Sequence, residues 1–156
     1  METINYATKQ YPQLNDSWIV KELNETFTTD RISNPETVFK LLKSVFSKLD
    51  SEKEHFISIS INTKNGIKSI DLISIGSMNA NIVHPREVFY AAIANRAASI
   101  ITAHNHPSGD VSPSQNDINV IKKLTETGKI IGIPQMDHII YGGDKWLSFK
   151  EQGLME

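Results

Sequence analysis

Two histidines and an aspartate occur at a spacing that suits a metal site. His104 and His106 are two residues apart, so their side chains point to the same side of an extended chain. Asp117 follows on the next predicted helix. Two neutral imidazoles and one carboxylate form a ligand set that zinc uses in catalysis, with the fourth coordination position left for water. The triplet therefore predicts a zinc site, while two strand-end histidines without any metal are the simpler alternative.

The residues around this triplet predict a strand, a turn and a capped helix. Residues 98–103 form a short apolar run typical of a central strand, and residues 107–109 are turn formers. Ser112 and Gln115 match a capping box, with Pro113 at the first helical position. The pattern predicts that both histidines leave a strand end shortly before a helix begins.

The predicted helix covers residues 113–127 and ends at Gly128. Asp117 lies on the same stripe of this helix as Ile121 and Leu124. A carboxylate in line with core-facing residues is costly unless a positive charge meets it, and a metal ion would meet it. An aspartate near a helix start also interacts favourably with the helix dipole, so this second interpretation stays open.

The first half of the chain predicts a helix followed by a hairpin. Asn34 and Pro35 suit the cap and first turn of a helix. Isoleucines alternate with serines over residues 56–61, which predicts a half-buried strand that can pair between chains at a sheet edge. The Asn-Gly pair at 65–66 predicts a hairpin turn into a second strand over residues 67–75.

The second half alternates helices and strands. A helix is predicted from His84 to Arg96, and further strands are predicted over residues 130–133, 138–141 and 146–149. Interleaved helices and strands predict an α/β or α+β class with a single mixed β-sheet flanked by helices. We expect residues 1–31 to pack as an N-terminal arm on one domain over residues 32–156.

Composition narrows the function classes. The 156 residues fit one domain, and a net charge of −2 argues against a broad nucleic-acid or anionic-membrane surface. No apolar run reaches the roughly 20 residues that span a bilayer, and no secretory signal is visible, so we expect a cytoplasmic protein. Cysteine is absent, so catalysis would use oxygen and nitrogen side chains.

The stretch from His104 to Asp117 resembles the signature of the JAB/MPN metalloproteases, also called the JAMM motif. That motif reads His-x-His, seven residues, Ser, two residues, Asp, and its serine here is Ser114. Residues 83–87, 103–110 and 137–138 further resemble the bacterial RadC-like branch, whose members are often labelled DNA repair proteins. The resemblance runs from about residue 32 to residue 154. It implies the JAB/MPN (cytidine-deaminase-like) architecture, here without room for a helix-hairpin-helix module.

The resemblance also implies the roles of individual residues. His104, His106 and Asp117 would be the zinc ligands, and Ser114 would stabilise the oxyanion, although a serine at a helix start more often bonds the local backbone. The family uses a glutamate a few residues before a glycine to deprotonate the metal's water. Gly76 matches that glycine, so Asp71 is expected to be the base, with one methylene less reach.

The resemblance therefore implies a zinc-dependent hydrolase that cleaves a peptide or isopeptide amide bond of a protein or peptide substrate. The alternative is a catalytically weak or inactive RadC-like fold that binds a protein partner or serves DNA repair. Direct nucleic-acid binding and membrane attachment are not expected, and a homo-oligomer is left open.

Overall fold

A computed structural model describes residues 31–76 and 83–156 of the chain. The expected N-terminal arm falls outside these residues except for Arg31, which forms an isolated antiparallel bridge with Gly66. The helices are α1 (Pro35–Phe46), α2 (Pro85–Ala94) and α3 (Gln115–Ile131). The strands are β1 (Glu54–Ile61), β2 (Ile67–Gly76), β3 (Ser99–Asn105), β4 (Gln135–Tyr141) and β5 (Trp146–Ser148).

The strands form one mixed sheet in the order β2-β1-β3-β4-β5. β1 pairs antiparallel with β2 and β3, and β5 pairs antiparallel with β4. β3 and β4 are parallel because α3 carries the chain back between them. The expected single mixed sheet with flanking helices is confirmed, and the fold is α+β.

Two hydrophobic clusters hold the layers together, one on each face of the sheet. On one face α1 contributes a row of buried residues that packs on the isoleucines of β1: Val38, Leu41, Leu42, Val45 and Phe46. On the other face α2 and α3 pack through residues such as Val88, Phe89, Ile121 and Leu124. A sheet covered on both faces buries its inner strands completely, and all seven residues of β3 are buried.

The start of α1 and the hairpin confirm the local signals. The side chain of Asn34 accepts a hydrogen bond from the backbone N–H of Thr37 at 2.9 Å, and Pro35 is the first helical residue. Asn65 has a φ of 60° at the hairpin turn, a left-handed conformation that asparagine tolerates.

The prediction of a half-buried, edge-forming strand over residues 56–61 is wrong. β1 is an inner strand, and its residues 55–61 are all buried. Its isoleucines face α1, while Ser58 and Ser60 face the opposite, equally covered side. The alternation therefore reflects two buried faces rather than one buried face and one in water.

The bounds of α3 also differ from the prediction. The helix is capped by Ser114 rather than Ser112, runs through Gly128 and ends at Gly132, which has a φ of 83°. Residues 130 and 131 are therefore helical and not the start of a strand. Gly128 lies inside the helix, and the residue there is a glycine because a Cβ would lie 2.6 Å from the carbonyl oxygen of Ile133. In the part of the chain that the structure describes, no helix is long and apolar enough to cross a bilayer.

Candidate metal centre

Four side chains meet at one end of the sheet, where β1 begins and β3 ends. Glu54, His104, His106 and Asp117 each offer a ligand atom, and these atoms all lie within 4.8 Å of one another. Nε2 of His104 lies 2.9 Å from Nε2 of His106 and 3.4 Å from Oδ1 of Asp117. Nε2 of His106 lies 3.4 Å from Oδ2 of Asp117. The structure thus brings the three sequence-predicted ligands together and adds Glu54.

The two histidines lie at the end of β3 because the strand passes directly into a tight turn. His104 is within the strand and buried, and the backbone N–H of His106 donates to the carbonyl of Tyr141 at 2.8 Å. The N–H of Gly109 then closes the turn by donating to the carbonyl of His106 at 2.9 Å. Gly109 has a φ of 80°, a left-handed conformation that favours glycine.

Asp117 reaches the site from the first turn of α3, where it forms a capping box with Ser114. The N–H of Asp117 donates to Oγ of Ser114 at 3.0 Å, and the N–H of Ser114 donates to Oδ2 of Asp117 at 2.8 Å. The carboxylate is therefore held by the helix start and still faces both imidazoles. Ser114 makes the local backbone contact that was the alternative to its oxyanion role, and it also lines the cleft in front of the cluster.

Sequence reasoning missed Glu54, which is the first residue of β1. Its Oε1 lies 3.8 Å from Nε2 of His104. Glu54 pairs across the hairpin with Gly76, so the glycine of the family pattern does mark the correct place, but the glutamate lies on the neighbouring strand. The missing signal was the register of β1 with β3, which sets Phe56 opposite His104 and so brings Glu54 to the strand end.

Asp71, the expected base, is elsewhere. It pairs with Ser58, four residues along β1 from Glu54, which corresponds to about 13 Å at the rise of a strand. Its Oδ2 accepts hydrogen bonds from Ser69 at 2.5 Å and from Asn95 at 2.9 Å, and it is fully buried. Burial raises the pKa of Asp71 to about 6 against these two hydrogen bonds, which lower it. The structure does not bring Asp71 to the cluster, and the carboxylate that lies beside the histidines there, besides Asp117, is that of Glu54.

The electrostatics of the cluster are those of an anion facing two imidazoles. Burial by itself raises the pKa of Asp117, but hydrogen bonds and charge from His104 and His106 outweigh it and hold the pKa well below the usual aspartate value. The hydrogen bond to Asp117 raises the pKa of His106. Asp117 is therefore ionised, and a bound cation would replace the proton that it favours on His106.

The contacts behind the imidazoles fit a zinc ion. Nδ1 of His106 lies 2.6 Å from the carbonyl oxygen of Asp110, so it is the protonated nitrogen and leaves Nε2 with a free lone pair. Nδ1 of His104 lies 2.7 Å from Nε2 of His138. Histidine ligands of zinc usually donate their second N–H in this way. The donor set, two imidazoles with Asp117 or Glu54, is also the set that zinc accepts.

The cluster opens into a cleft of about 730 Å³ between α2 and α3. Its walls combine apolar side chains such as Phe56 and Val120 with polar ones such as Asn116 and Lys123. A cleft of this size is in the range of ligand-binding pockets, and its open side gives water access to the site.

The fold and the cluster are those of a JAB-type domain, and comparison with known proteins supports this class. The RadC-like JAB domain family matches residues 32–154, and the chain belongs to this family.

Curated relatives carry the name UPF0758 protein. The chain is 46% identical to one from Methanosarcina mazei over 136 residues, which are 85% of this chain and 58% of the relative. It is 51% identical to one from Caldanaerobacter subterraneus over 125 residues, which are 80% of this chain and 53% of the relative. It is 57% identical to one from Geobacillus sp. strain WCH70 over 103 residues, which are 66% of this chain and 46% of the relative. The chain spans about half the length of these relatives.

Proposed function

We propose that this protein is a zinc-dependent hydrolase that cleaves an amide bond in a peptide or protein. His104, His106 and Asp117 hold the metal, and Glu54 moves the proton. The observation that carries the proposal is the convergence of Glu54 with the three ligands at the floor of an open cleft. When bound, zinc polarises a water molecule and the scissile carbonyl.

Glu54 is placed to act as general base and then as general acid. Its Oε1 is 3.8 Å from His104, farther than the 3.4 Å that separates Asp117 from either imidazole. A carboxylate at the border of the ligand set accepts the proton of the attacking water and passes it to the leaving amine. Water adds its oxygen to the carbonyl carbon, the carbon–nitrogen bond breaks, and both water protons are accounted for in the acid and amine products.

Ser114 complements this chemistry from the helix start. Its Oγ accepts the N–H of Asp117, which leaves the hydroxyl proton free to donate towards the cleft. A donor at that position stabilises the oxyanion that develops when the carbonyl is attacked.

The alternative of an inactive binding module depended on an aspartate in place of the family's glutamate. Glu54 weakens this argument for an inactive module, because a glutamate does lie beside the histidines. We therefore favour the hydrolase and make the binding module an outcome of the test.

The test separates metal binding from catalysis. Protein purified without chelators should contain about one zinc per chain, and His104→Ala and Asp117→Ala should lose it. The variant of exposed His84, His84→Ala, is the control that keeps zinc. Glu54→Gln should keep zinc but lose hydrolysis of a fluorogenic peptide library by 10²-fold or more, whereas Glu126→Gln, on the exposed face of α3, should retain it. Zinc-loaded protein that is inactive on peptides and isopeptides and unchanged by Glu54→Gln would instead support the binding module.

A further inference from the structure

A chain of buried hydrogen bonds leads away from the cluster on the side of His104 opposite the cleft. Nδ1 of His104 contacts Nε2 of His138 at 2.7 Å, and Nδ1 of His138 contacts Oγ1 of Thr102 at 2.7 Å. Oγ1 of Thr102 contacts the side-chain amide of Gln135 at 2.6 Å. The other end of that amide contacts Oγ1 of Thr125 at 2.9 Å, and Thr125 reaches the carbonyl of Ile121 at 2.9 Å.

The sheet aligns this chain and keeps water out of it. Thr102 and His138 are paired residues of the parallel strands β3 and β4, so their side chains stand next to each other on one face. His104, Thr102, His138 and Gln135 are each at most 6% exposed. Because buried polar groups find no solvent partner, each contact must hold one proton between its two atoms.

If each contact holds one proton, the hydrogen bonds can run in two opposite donor-to-acceptor directions, which give a first and a second order of the protons. In the first order the amide nitrogen of Gln135 faces Thr102, as in this structure, and Thr102 donates to His138. His138 must then donate to Nδ1 of His104, which leaves the proton of His104 on Nε2. That nitrogen lies 2.9 Å from Nε2 of His106 and 3.4 Å from Oδ1 of Asp117. In this order the single hydroxyl proton of Thr125 faces two acceptors, Gln135 and the carbonyl of Ile121.

The second order reverses every contact and removes that conflict. The amide of Gln135 turns over, so its oxygen accepts from Thr102 and its nitrogen donates to Thr125, whose own proton goes to Ile121. Thr102 then accepts from Nδ1 of His138, and Nε2 of His138 accepts from Nδ1 of His104. The number of protons is unchanged, and each contact from His104 to Ile121 has one donor and one acceptor. The lone pair of Nε2 of His104 then faces that of Nε2 of His106 at 2.9 Å, an arrangement that a cation held by both nitrogens would stabilise.

We infer that zinc binding is coupled to the second order, and that His138, Thr102 and Gln135 are positioning residues that hold His104 in its ligating tautomer. The inference rests on the proposed zinc site. Only the second order lets Nε2 of His104 bind a cation. The hydroxyl of Thr102 links the imidazole pair to the amide of Gln135. None of the three residues touches the reacting atoms.

The first test reads the tautomers directly. Two-bond proton–nitrogen correlation spectra of zinc-loaded protein with ¹⁵N-labelled histidine should show His138 and His104 each protonated on Nδ1 only. A proton on Nε2 of His138 in the zinc-loaded protein would overturn the inference. This measurement needs no substitution, so it holds even if a variant fails to fold.

The second test interrupts the chain at its middle. Thr102→Val keeps the shape but removes the hydroxyl, and the zinc dissociation constant should rise about 10–100-fold, the usual effect of losing a partner behind a ligand. Thr102→Ser restores the hydroxyl and should return the constant to near the original value. Thr127→Val makes the same change on α3 at a hydroxyl that donates to the carbonyl of Lys123, and it should leave zinc binding unchanged.

The outcomes distinguish this inference from the proposed function. Equal zinc affinity in the original protein and Thr102→Val, with zinc bound tightly in both, would overturn the positioning role and leave the zinc site intact. Failure of the original protein to bind zinc at all would overturn the zinc site and the inference with it.

Discussion

The side chain of Asn105 holds the backbone on both sides of Glu54. The backbone N–H of His55 donates to Oδ1 of Asn105 at 2.7 Å, and Nδ2 of Asn105 donates to the carbonyl of Lys53 at 2.9 Å. Asn105 lies between the two histidines of the cluster, so one residue ties the start of β1 to the ligand-bearing end of β3. The distance between Glu54 and the imidazoles is therefore set by a side chain that is itself neither ligand nor base.

Asn105→Ala should lower hydrolysis more than it lowers zinc content. Both backbone hydrogen bonds are lost, and a displacement of Glu54 near 1 Å is enough to reduce the rate about 100-fold. The ligands come from β3 and α3, so zinc should remain bound. The two measurements are kcat on a peptide substrate and zinc per chain after gel filtration; a parallel loss of both would show that Asn105 supports the ligands rather than Glu54.

Asp71→Asn should leave zinc content and hydrolysis intact, because Asp71 lies on β2 opposite Ser58 and bonds to Ser69 and Asn95 instead of the cluster. A loss of activity at full zinc occupancy, in a variant as stable as the original protein, would return Asp71 to the mechanism.

Asp71 should also make stability depend on pH. Its pKa is about 6 in the folded protein and about 3.8 in the unfolded chain, so the folded state binds the proton more tightly. The stabilisation is complete below about pH 4 and is lost as the pH rises through 6, by about 3 kcal/mol in total. The free energy of unfolding in urea, measured from pH 4 to 8, should therefore fall less steeply with pH in Asp71→Asn. Identical slopes would contradict the raised pKa.

Substitutions of Ser114 should separate its role as helix cap from its role as donor. Ser114→Ala removes the cap of α3 and should cost about 1 kcal/mol of stability, whereas Ser114→Gly should cost only a few tenths. Both remove the hydroxyl, and kcat should fall about 10²–10³-fold in both. Recovery of activity in the glycine variant alone would mean that the serine acts only through the helix start.

Gly128→Ala should destabilise the protein although alanine favours helices. The added Cβ would meet the carbonyl oxygen of Ile133 at 2.6 Å and Cζ of Phe89 at 3.3 Å. The gain in helix propensity is about 1 kcal/mol, and overpacking of this kind costs roughly 1–3 kcal/mol. Urea unfolding should show a lower midpoint, with Thr127→Ala as the neighbouring control of unchanged or slightly higher stability.

The three candidate ligands could be predicted from the sequence because their geometry is local. Strand alternation puts His104 and His106 on one side. The turn after the strand is short, so the first turn of α3 brings Asp117 back to the two histidines. The cap was assigned two residues early because Ser112 and Ser114 both satisfy the chemistry of a helix start. In the structure the second serine caps the helix, and its capping box includes Asp117, whose carboxylate faces both imidazoles.

The end of α3 and the burial of β1 required the tertiary structure for the same reason. Gly128 stops a helix by its local preference, but the folded chain places the carbonyl oxygen of Ile133 at 2.6 Å and Phe89 on α2 at 3.3 Å from a Cβ at this position, which calls for a glycine inside the helix. The alternation of isoleucine and serine in β1 predicts one solvent-exposed face, but α2 and α3 cover that face as well. Both errors arise where a contact that forms only in the folded chain overrides a local preference.

The sequence by itself determined the family, the class of fold and the two histidines and one aspartate that could hold a metal. Only the tertiary structure decided which carboxylate stands beside them. Glu54 is about fifty residues before the histidines in the chain, and the antiparallel register of β1 with β3 brings it to the site. Register is a property of two strands together. It is fixed by the hydrogen bonds between them and by the two bonds from the side chain of Asn105 to the backbone at the start of β1, so neither strand's own residues reveal it.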